Sequence, residues 1–233
     1  MKTFSRLFLG TLLFLTVVIV SACIPKAGQL ESEQQGTGDV TSTTGSTIEA
    51  ETAQPSQTTG TKVVIDPTTS TISRRGTKVI GGGHNGTVGI REGFALINNG
   101  RLVGGEITLN MNAITVLDIP AEDASNVGLV NHLIGPDFFD VKKFPTAQFI
   151  ITSVNDNNYP RIEVNGIMTI KDQSHPETII LQANEDMTQL SGSIELDRTK
   201  YGVMYNSEKL LETIKDRAIN DMISLNFSLI LLK

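Results

Sequence analysis

Apolar and polar residues alternate in a series of short segments between residues 63 and 232, and this pattern limits the possible folds more than any other feature. In the last segment, residues 222–232, every second side chain is apolar, and Ser224, Asn226 and Ser228 lie between them. Such alternation is typical of a β-strand with one buried face. The segment is too short to cross a bilayer as a helix. We therefore expect antiparallel strands around a common interior.

Roughly eight segments of this kind, joined by short turns, predict an all-β fold, an eight-stranded antiparallel β-barrel with one or two short helices at its ends. Closure favours the barrel because it leaves no unpaired edge strand, although alternation alone also fits a β-sandwich. A helical pattern in residues 208–217 supplies one of the helices. The main predicted strands are residues 63–66, 70–80, 102–111, 147–154, 159–171, 178–184, 189–197 and 222–232.

Turn residues place the connections between these strands. Asn99-Gly100 supplies the positive φ angles of a two-residue hairpin, and Asp66-Pro67 predicts a turn between an opening pair of strands. Residues 81–86 formally match the G-x-G-x-x-G fingerprint of dinucleotide-binding proteins. That fingerprint needs a helix directly after the glycines, whereas residues 87–91 alternate like a strand. The glycines therefore predict a bend or bulge at a barrel corner.

The alternation is interrupted in mid-chain by a different pattern. Residues 121–134 carry apolar side chains at helical spacing, and Gly135-Pro136 ends that helix. Phe138-Phe139 follow among charged neighbours, and two aromatic rings of this size need burial. We predict a short helix and a phenylalanine-bearing turn that plug one end of the barrel.

The N-terminus has the layout of a lipoprotein precursor. Residues 1–22 place Lys2 and Arg6 before an apolar run and small residues, which predicts a secretory signal peptide. Residues 20–23, Val-Ser-Ala-Cys, resemble the bacterial lipobox, in which the cysteine carries the lipid. We therefore predict lipid attachment at Cys23, the only cysteine in the chain. The alternative is an ordinary signal peptide that leaves a free thiol.

Residues 23–60 begin with that cysteine and lead to the predicted barrel, residues 61–233. They are rich in Gly, Thr, Ser and Gln and lack periodicity, so we predict a disordered tether with an r.m.s. reach of roughly 30 to 36 Å. Ile24 is not an acidic retention signal. We therefore expect a lipid-anchored protein of the cell envelope, on the periplasmic face of the outer membrane.

Composition and motifs argue against several functions. A formal net charge of −6 and only 5% aromatic residues disfavour nucleic acid as a partner. No G-x-S-x-G elbow is present, and His84, His132 and His175 lack the close spacing of zinc ligands. We predict no enzymatic activity, and we expect His84 and His132 to close local hydrogen-bond networks. Asp197-Arg198 with Lys200-Tyr201 predicts a turn that carries a surface ion pair.

Residues 132–149 read HLIGPDFFDVKKFPTAQF, and this run resembles the most distinctive block of the YceI-like family. The resemblance covers about residues 63–232. Ser73-Arg74-Arg75 departs from it, since relatives usually carry an aromatic residue there. Membership implies a lipocalin-like barrel that binds polyisoprenoids or similar lipids. Further matching segments are residues 76–88, 104–114, 164–172 and 194–203.

The resemblance implies a cavity for a long, mostly apolar lipid such as an isoprenoid quinone or polyprenol, with no covalent cofactor and no metal. Gly166 and Gly192 on inward rows are compatible with an open interior and also with a filled one. The alternative function is an envelope structural or protein-interaction module with a solid core and no ligand, and a homodimer stays open. The predicted lining residues are Ile107, Leu109, Met111, Phe138, Phe139, Ala147, Phe149, Ile151, Ile162, Val164, Met168, Ile179, Leu181, Leu190, Ile194, Leu225 and Phe227.

Overall fold

The computed structural model describes residues 59–210 and 217–232. In these residues nine strands and one α-helix follow one another, and a short 3₁₀ turn, Arg198–Tyr201, comes after the eighth strand. The elements are β1 Thr61–Ile65, β2 Thr71–Thr77, β3 Gly83–Asn98, β4 Arg101–Ile114, α1 Ala124–Ile134, β5 Thr146–Asn158, β6 Arg161–Ile170, β7 Gln173–Ala183, β8 Gln189–Asp197 and β9 Met222–Leu232.

The sheet is a closed antiparallel barrel, and from β3 to β9 each strand pairs with the next one in sequence. β1 and β2 are consecutive parts of one strand position, because both pair with β3 on one side and with β9 on the other. The nine strands therefore fill eight positions, and β9 closes the sheet. This arrangement confirms the predicted eight-stranded barrel and rules out the sandwich. Because the sheet closes on itself, none of the nine described strands is left as an unpaired edge.

The opening segment differs from the prediction. The two strands predicted around Asp66-Pro67 are present, but β1 and β2 share one strand position between β3 and β9 instead of occupying two. The Asp66 carboxylate instead accepts hydrogen bonds from the backbone N–H and hydroxyl of Thr68 and from the hydroxyl of Thr69. These bonds lower the pKa of Asp66 to about 2. The turn therefore interrupts one strand position instead of reversing the chain.

The two predicted turns around β3 lie where the residues suggested. Asn99 and Gly100 have φ angles of 50° and 73°, and they join β3 to β4 as a two-residue hairpin. Residues 81–86 lie at the turn from β2 to β3, where Gly81 has a φ of 107° and β3 begins at Gly83. Since a strand and not a helix follows the glycines, the dinucleotide-site geometry is absent from this segment.

The connection from β4 to β5 contains α1 and covers one end of the barrel. The helix begins after Asp123, whose side chain caps it by accepting from the N–H of Ser125. Asn126, buried on the inner side, donates from Nδ2 to the carbonyls of Val116 (3.1 Å) and Ile119 (2.7 Å). These bonds fix α1 against the end of β4. We call the end at which β2, β4, β6 and β8 finish the mouth end, and the opposite one the far end.

The predicted signal peptide, the Cys23 attachment site and the tether up to residue 58 lie outside the described residues, as do residues 211–216 of the predicted second helix. Residues 208–210 at its start form a turn. No helix in the part of the chain that the structure describes is long and apolar enough to cross a membrane.

Candidate functional site

The inner faces of the strands enclose a narrow apolar cavity of about 90 Å³, which we call the deep chamber. Every residue that lines it belongs to a strand, and Glu106 is the only charged one among them. The lining comes from all nine strands because inward-facing positions recur at every second residue. It includes Ile65, Ala95, Leu102, Ile107, Phe149, Ile151, Val164, Met168, Ile179, Leu181, Leu190, Ile194, Phe227 and Leu229.

Two phenylalanine rings pack against glycines in the wall of the deep chamber. A Cβ atom built on Gly166 would collide with the ring of Phe149 and the carbonyl of Ile150. One built on Gly192 would lie 2.8 Å from Cζ of Phe227. The sequence left open whether these glycines provide room for a ligand. The rings occupy that room, and by lying against the wall they keep the axis of the barrel open.

A wider cavity of about 400 Å³ lies at the mouth end, and we call it the mouth chamber. Leu109 and Leu225 border both cavities, so the two chambers follow each other along the barrel axis. The mouth chamber has an apolar wall that includes Met111 from β4 and Ala147 from β5, and the plug phenylalanines also line it. Its basic lining residues are Arg74, Arg75, Lys78, Arg198 and Arg217, joined by His84 and His132, and no carboxylate among the described residues lines it.

Phe138 and Phe139 are buried in the plug at this end, as the sequence predicted. The Phe138 ring makes edge contacts with His132 and Phe139 at centroid distances of 5.5 and 5.7 Å. Lys171 reaches over from the β6–β7 turn, and its Nζ donates to the Phe138 carbonyl at 2.8 Å. The plug is therefore tied both to α1 and to the barrel rim.

Arg74 and His132 each present a buried nitrogen without a hydrogen-bond partner in the described residues. The Nη2 of Arg74 donates to the Thr115 carbonyl at 2.6 Å, but its Nε lacks an acceptor. Burial lowers the pKa of the Arg74 guanidinium, and the charge of Asp118 opposes that shift. The Nε2 of His132 is likewise unpaired, contrary to our expectation of a local hydrogen-bond network. Unpaired buried polar atoms are costly, so an oxygen-bearing group in the chamber would stabilise both.

Arg198 does not belong to a surface ion pair, contrary to our expectation, because it is buried. Its side chain is only 1% exposed, and it pairs with the equally buried Asp221 (Nη2 to Oδ1, 3.3 Å). The guanidinium also donates to four backbone carbonyls, those of Val203, Tyr205, Ile219 and Asn220. The chain between β8 and β9 folds back over the mouth, and this brings those carbonyls around residue 198. Arg198 therefore holds the β8–β9 connection in place.

The other residues of that motif differ in exposure: Asp197 is partly buried and Lys200 is exposed. Tyr201 is fully buried, and its hydroxyl donates to Glu177 at 2.9 Å. Burial and this carboxylate raise the pKa of Tyr201. The exposed ion pair of the region joins Lys209 and Asp197 at 3.0 Å.

His84 behaves as the sequence suggested. Its Nδ1 lies 2.8 Å from Oδ2 of Asp118, whose Oδ1 accepts from the N–H of Asn85 at 3.0 Å. Burial works against ionisation of Asp118, but the bonds from His84 and Asn85 prevail and lower its pKa. No group of three or more metal-ligating side chains occurs among the described residues.

The structure places all but one of the predicted lining residues on the wall of a chamber. Ile162 is the exception: it is fully buried at the far end, near the start of β6, and lines neither chamber. Met111, Phe138, Phe139 and Ala147 line the mouth chamber, and the other predicted residues line the deep chamber. Ligand binding by these residues stays a prediction.

A family model described as the YceI-like domain matches residues 63–231, which include the whole barrel apart from its first and last residues. The chain belongs to the YceI-like family. Among curated protein sequences, none matches this YceI-like chain significantly.

Solved structures agree on the fold. Burkholderia cenocepacia BcnA matches with a TM-score of 0.56 and 15% sequence identity, over 71% of this chain and 98% of BcnA. A polyisoprenoid-binding domain from Saccharophagus degradans, implicated in plant cell wall breakdown, matches with a TM-score of 0.52 and 11% identity, over 72% of this chain and 97% of that domain. At these identities the likeness concerns the fold.

The basic lining of the mouth chamber was missed by sequence reasoning. The chain as a whole has a net charge of −6, and the lining combines Arg74 and Lys78 with Arg198 and Arg217, which lie more than 100 residues later in the sequence. One signal was available: Ser73-Arg74-Arg75 departs from the family pattern. In β2 the departure leaves Ser73 and Arg75 exposed and points Arg74 into the mouth chamber.

Proposed function

We propose that this YceI-like barrel binds and carries a long-chain isoprenoid or similar amphiphilic lipid without changing it chemically. The observation that carries the proposal is the tandem arrangement of a narrow apolar chamber and a wider, basic mouth chamber. Such a shape suits a molecule with one slender hydrocarbon tail and a bulkier polar head. The solid-core module considered as an alternative is disfavoured because the barrel interior is hollow.

The tail belongs in the deep chamber. Its walls carry aliphatic and phenylalanine side chains, and an eight-stranded barrel leaves room for one slender ligand. Each buried methylene contributes about 0.8 kcal/mol, whereas association costs roughly 4 to 15 kcal/mol. Short acyl fragments should therefore bind poorly, and a chain of many carbons should bind well.

The polar head belongs beside Arg74 and His132. Both side chains hold a buried nitrogen that lacks a partner in the described residues, and both line the mouth chamber. The carbonyl oxygen of an isoprenoid quinone or the terminal oxygen of a polyprenol would accept a hydrogen bond there. An oxygen acceptor would offset the desolvation that lowers the pKa of Arg74. We therefore assign the ligand to the isoprenoid quinone or polyprenol class.

The same proposal places the protein in the cell envelope. It rests on the predicted signal peptide and on lipid attachment at Cys23, which would hold the barrel at the periplasmic face of the outer membrane. A carrier with a sequestered apolar ligand would serve storage or transport between membrane sites.

Native mass spectrometry of residues 59–233 tests the carrier proposal. Mildly extracted protein should retain a lipid, and Phe149→Asp should abolish retention because it places a carboxylate in the deep chamber. Ile150→Asp is the matched control, since Ile150 is the next residue of β5 and lies exposed on the outer face. Met168→Asp provides a second interior variant, and circular dichroism verifies that each variant is folded. Retention of lipid by both folded interior variants would refute the proposed lining.

A further inference from the structure

The connections at the two ends of the barrel differ in the side chains that they expose. The turns at the far end, residues 98–101, 155–161 and 184–189, expose no large apolar side chain in the described structure. At the mouth end each of the three longer connections exposes at least one. These side chains are Val79, Ile80, Leu117, Val127, Met204 and Leu210, and the most exposed are Leu117 and Leu210, both at 63%.

Basic side chains lie beside two of these apolar side chains, Val79 and Ile80. Arg75, Lys78 and Arg217 are exposed, and we call them the basic rim. Lys78 pairs with Ile219 as an isolated bridge, and Val79 donates from its N–H to the Ala218 carbonyl at 2.9 Å. The β2–β3 turn and the chain before β9 therefore form one strip of cations and apolar residues. Within the described residues none of the three basic side chains forms an ion pair.

Several acidic groups at the same end are engaged by internal partners. Asp118 pairs with His84, Asp123 caps α1, Asp197 binds Lys209 and Asp221 binds Arg198. Their charges are therefore partly offset within the protein. The basic rim has no such partner in the described residues, although the chain as a whole carries a formal net charge of −6.

We propose that the mouth end docks onto the surface of an anionic lipid bilayer. Apolar side chains such as Ile80 and Leu117 would enter the headgroup region, while the basic rim would lie over anionic headgroups. Apolar tips flanked by cations are the composition that interfacial membrane binding requires. Each basic residue near an anionic surface strengthens binding by about fivefold.

The path of the chain is compatible with this orientation. β1 runs toward the mouth end, so Thr61, its first residue, lies at the far end. β3 has 16 residues; at about 3.3 Å per residue and a tilt of about 40°, it spans roughly 40 Å along the barrel axis. The predicted tether from Cys23, with an r.m.s. reach of roughly 30 to 36 Å, is of comparable length. A barrel anchored there could therefore turn its mouth toward the membrane.

The proposal goes beyond lipid carriage and can fail independently of it. Docking depends on the outer surface of the mouth end, whereas carriage depends on the deep chamber. Met168→Asp, which disrupts the deep chamber, should therefore leave docking unchanged. A docked mouth would place the opening of the mouth chamber against the bilayer, where an apolar tail could pass without crossing water.

Vesicle flotation of residues 59–233 tests the docking surface without the lipid anchor. The protein should float with vesicles of phosphatidylcholine and phosphatidylglycerol, bind pure phosphatidylcholine more weakly, and dissociate as salt is added. Lys78→Glu changes the local charge by two units and should weaken binding about 30-fold. Lys62→Glu is the matched control, because Lys62 is an exposed lysine of β1 near the far end.

A second pair of variants tests the contribution of the apolar side chains to vesicle binding separately from the contribution of the basic rim. Ile80→Asp at the mouth end should weaken vesicle binding, whereas Val64→Asp on β1 should weaken it much less, although both residues are exposed (58% and 48%). Equal effects within each pair would refute docking through the mouth end, as would failure of the unmodified protein to float with anionic vesicles. A dimer detected by light scattering and broken by Ile80→Asp would assign this surface to a second copy of the chain instead and overturn the proposal.

Discussion

The deep chamber and the mouth chamber share one barrel but are built in different ways. The deep chamber is lined by strand residues alone, so its apolar character follows from alternation within each strand. The mouth chamber also takes residues from the β2–β3, β4–β5 and β8–β9 connections, and it is basic. A local pattern therefore determines the first chamber, and contacts between distant parts of the chain determine the second. The difference predicts that the two regions respond to mutation in different ways.

The largest expected effect on the free energy of unfolding comes from removal of Arg198, the buried cation that holds the β8–β9 connection at the mouth end. Arg198→Met would leave Asp221 and four backbone carbonyls without their donor in a buried setting. We expect the free energy of unfolding to fall by about 3 to 5 kcal/mol, because breaking a buried pair strands the remaining charge. Urea unfolding followed by circular dichroism measures the loss.

Lys209→Met is the control for this variant, since it removes a cation whose side chain is 58% exposed and which lies 3.0 Å from Asp197 and only 3.8 Å from the buried Asp221. It should leave the urea midpoint almost unchanged because exposed pairs contribute little. The double variant Arg198→Met with Asp221→Leu should recover part of the loss, since no buried carboxylate then remains. An equal response of Arg198→Met and Lys209→Met would mean that the mouth end does not depend on Arg198.

The second prediction compares the deep chamber with the packed far end. Ile162 and Met168 lie on the same inward row of β6, but only Met168 lines a chamber. Ile162→Ala should lower the free energy of unfolding by about 2 to 5 kcal/mol, because it opens a cavity in a filled region. Met168→Ala enlarges space that already exists and should cost less. Equal losses in urea unfolding would indicate that side chains fill the deep chamber in solution.

The barrel could be predicted from sequence because apolar and polar residues alternate within each strand. The predicted limits of the last two strands, residues 189–197 and 222–232, coincide with β8 and β9. The Asn99-Gly100 hairpin was equally local, since positive φ is a property of those residues. The predicted lining positions followed from the same alternation. Ile162 does not line a chamber, because periodicity distinguishes inward-facing from outward-facing residues but not a filled end of the barrel from an open chamber.

The side-chain environments of the mouth end could not be predicted, because they depend on contacts between residues that are distant in sequence. Nothing next to Arg198 in sequence indicates burial: its acidic partner is residue 221, and its carbonyl acceptors lie between residues 203 and 220. His132 was expected to close a hydrogen-bond network, yet its ring packs against Phe138 and Tyr205 and its buried Nε2 has no partner in the described residues. Tertiary packing decides such environments, and a single sequence contains no local signal for them.

The smallest expected effect concerns the aromatic wall of the deep chamber. In Gly166→Ala the new methyl group would collide with the Phe149 ring and the Ile150 carbonyl. The Ile150 carbonyl belongs to the hydrogen-bonded backbone of the sheet, so the Phe149 ring is the group that can move. It would tilt into the deep chamber. We expect a loss of about 1 to 3 kcal/mol from overpacking, measured by urea unfolding, together with weaker retention of lipid in native mass spectrometry.

Gly128→Ala is the control for this substitution, because a Cβ atom on Gly128 meets nothing within 4 Å on the exposed side of α1. It should raise the free energy of unfolding by about 1 kcal/mol, since alanine is the better helix former, and leave lipid retention unchanged. The two substitutions add the same methyl group, so opposite signs would isolate the contact between ring and glycine. If Gly166→Ala unfolds at the same urea concentration as the unmodified protein and retains the same lipid, the Phe149 ring does not depend on Gly166 to stay against the wall.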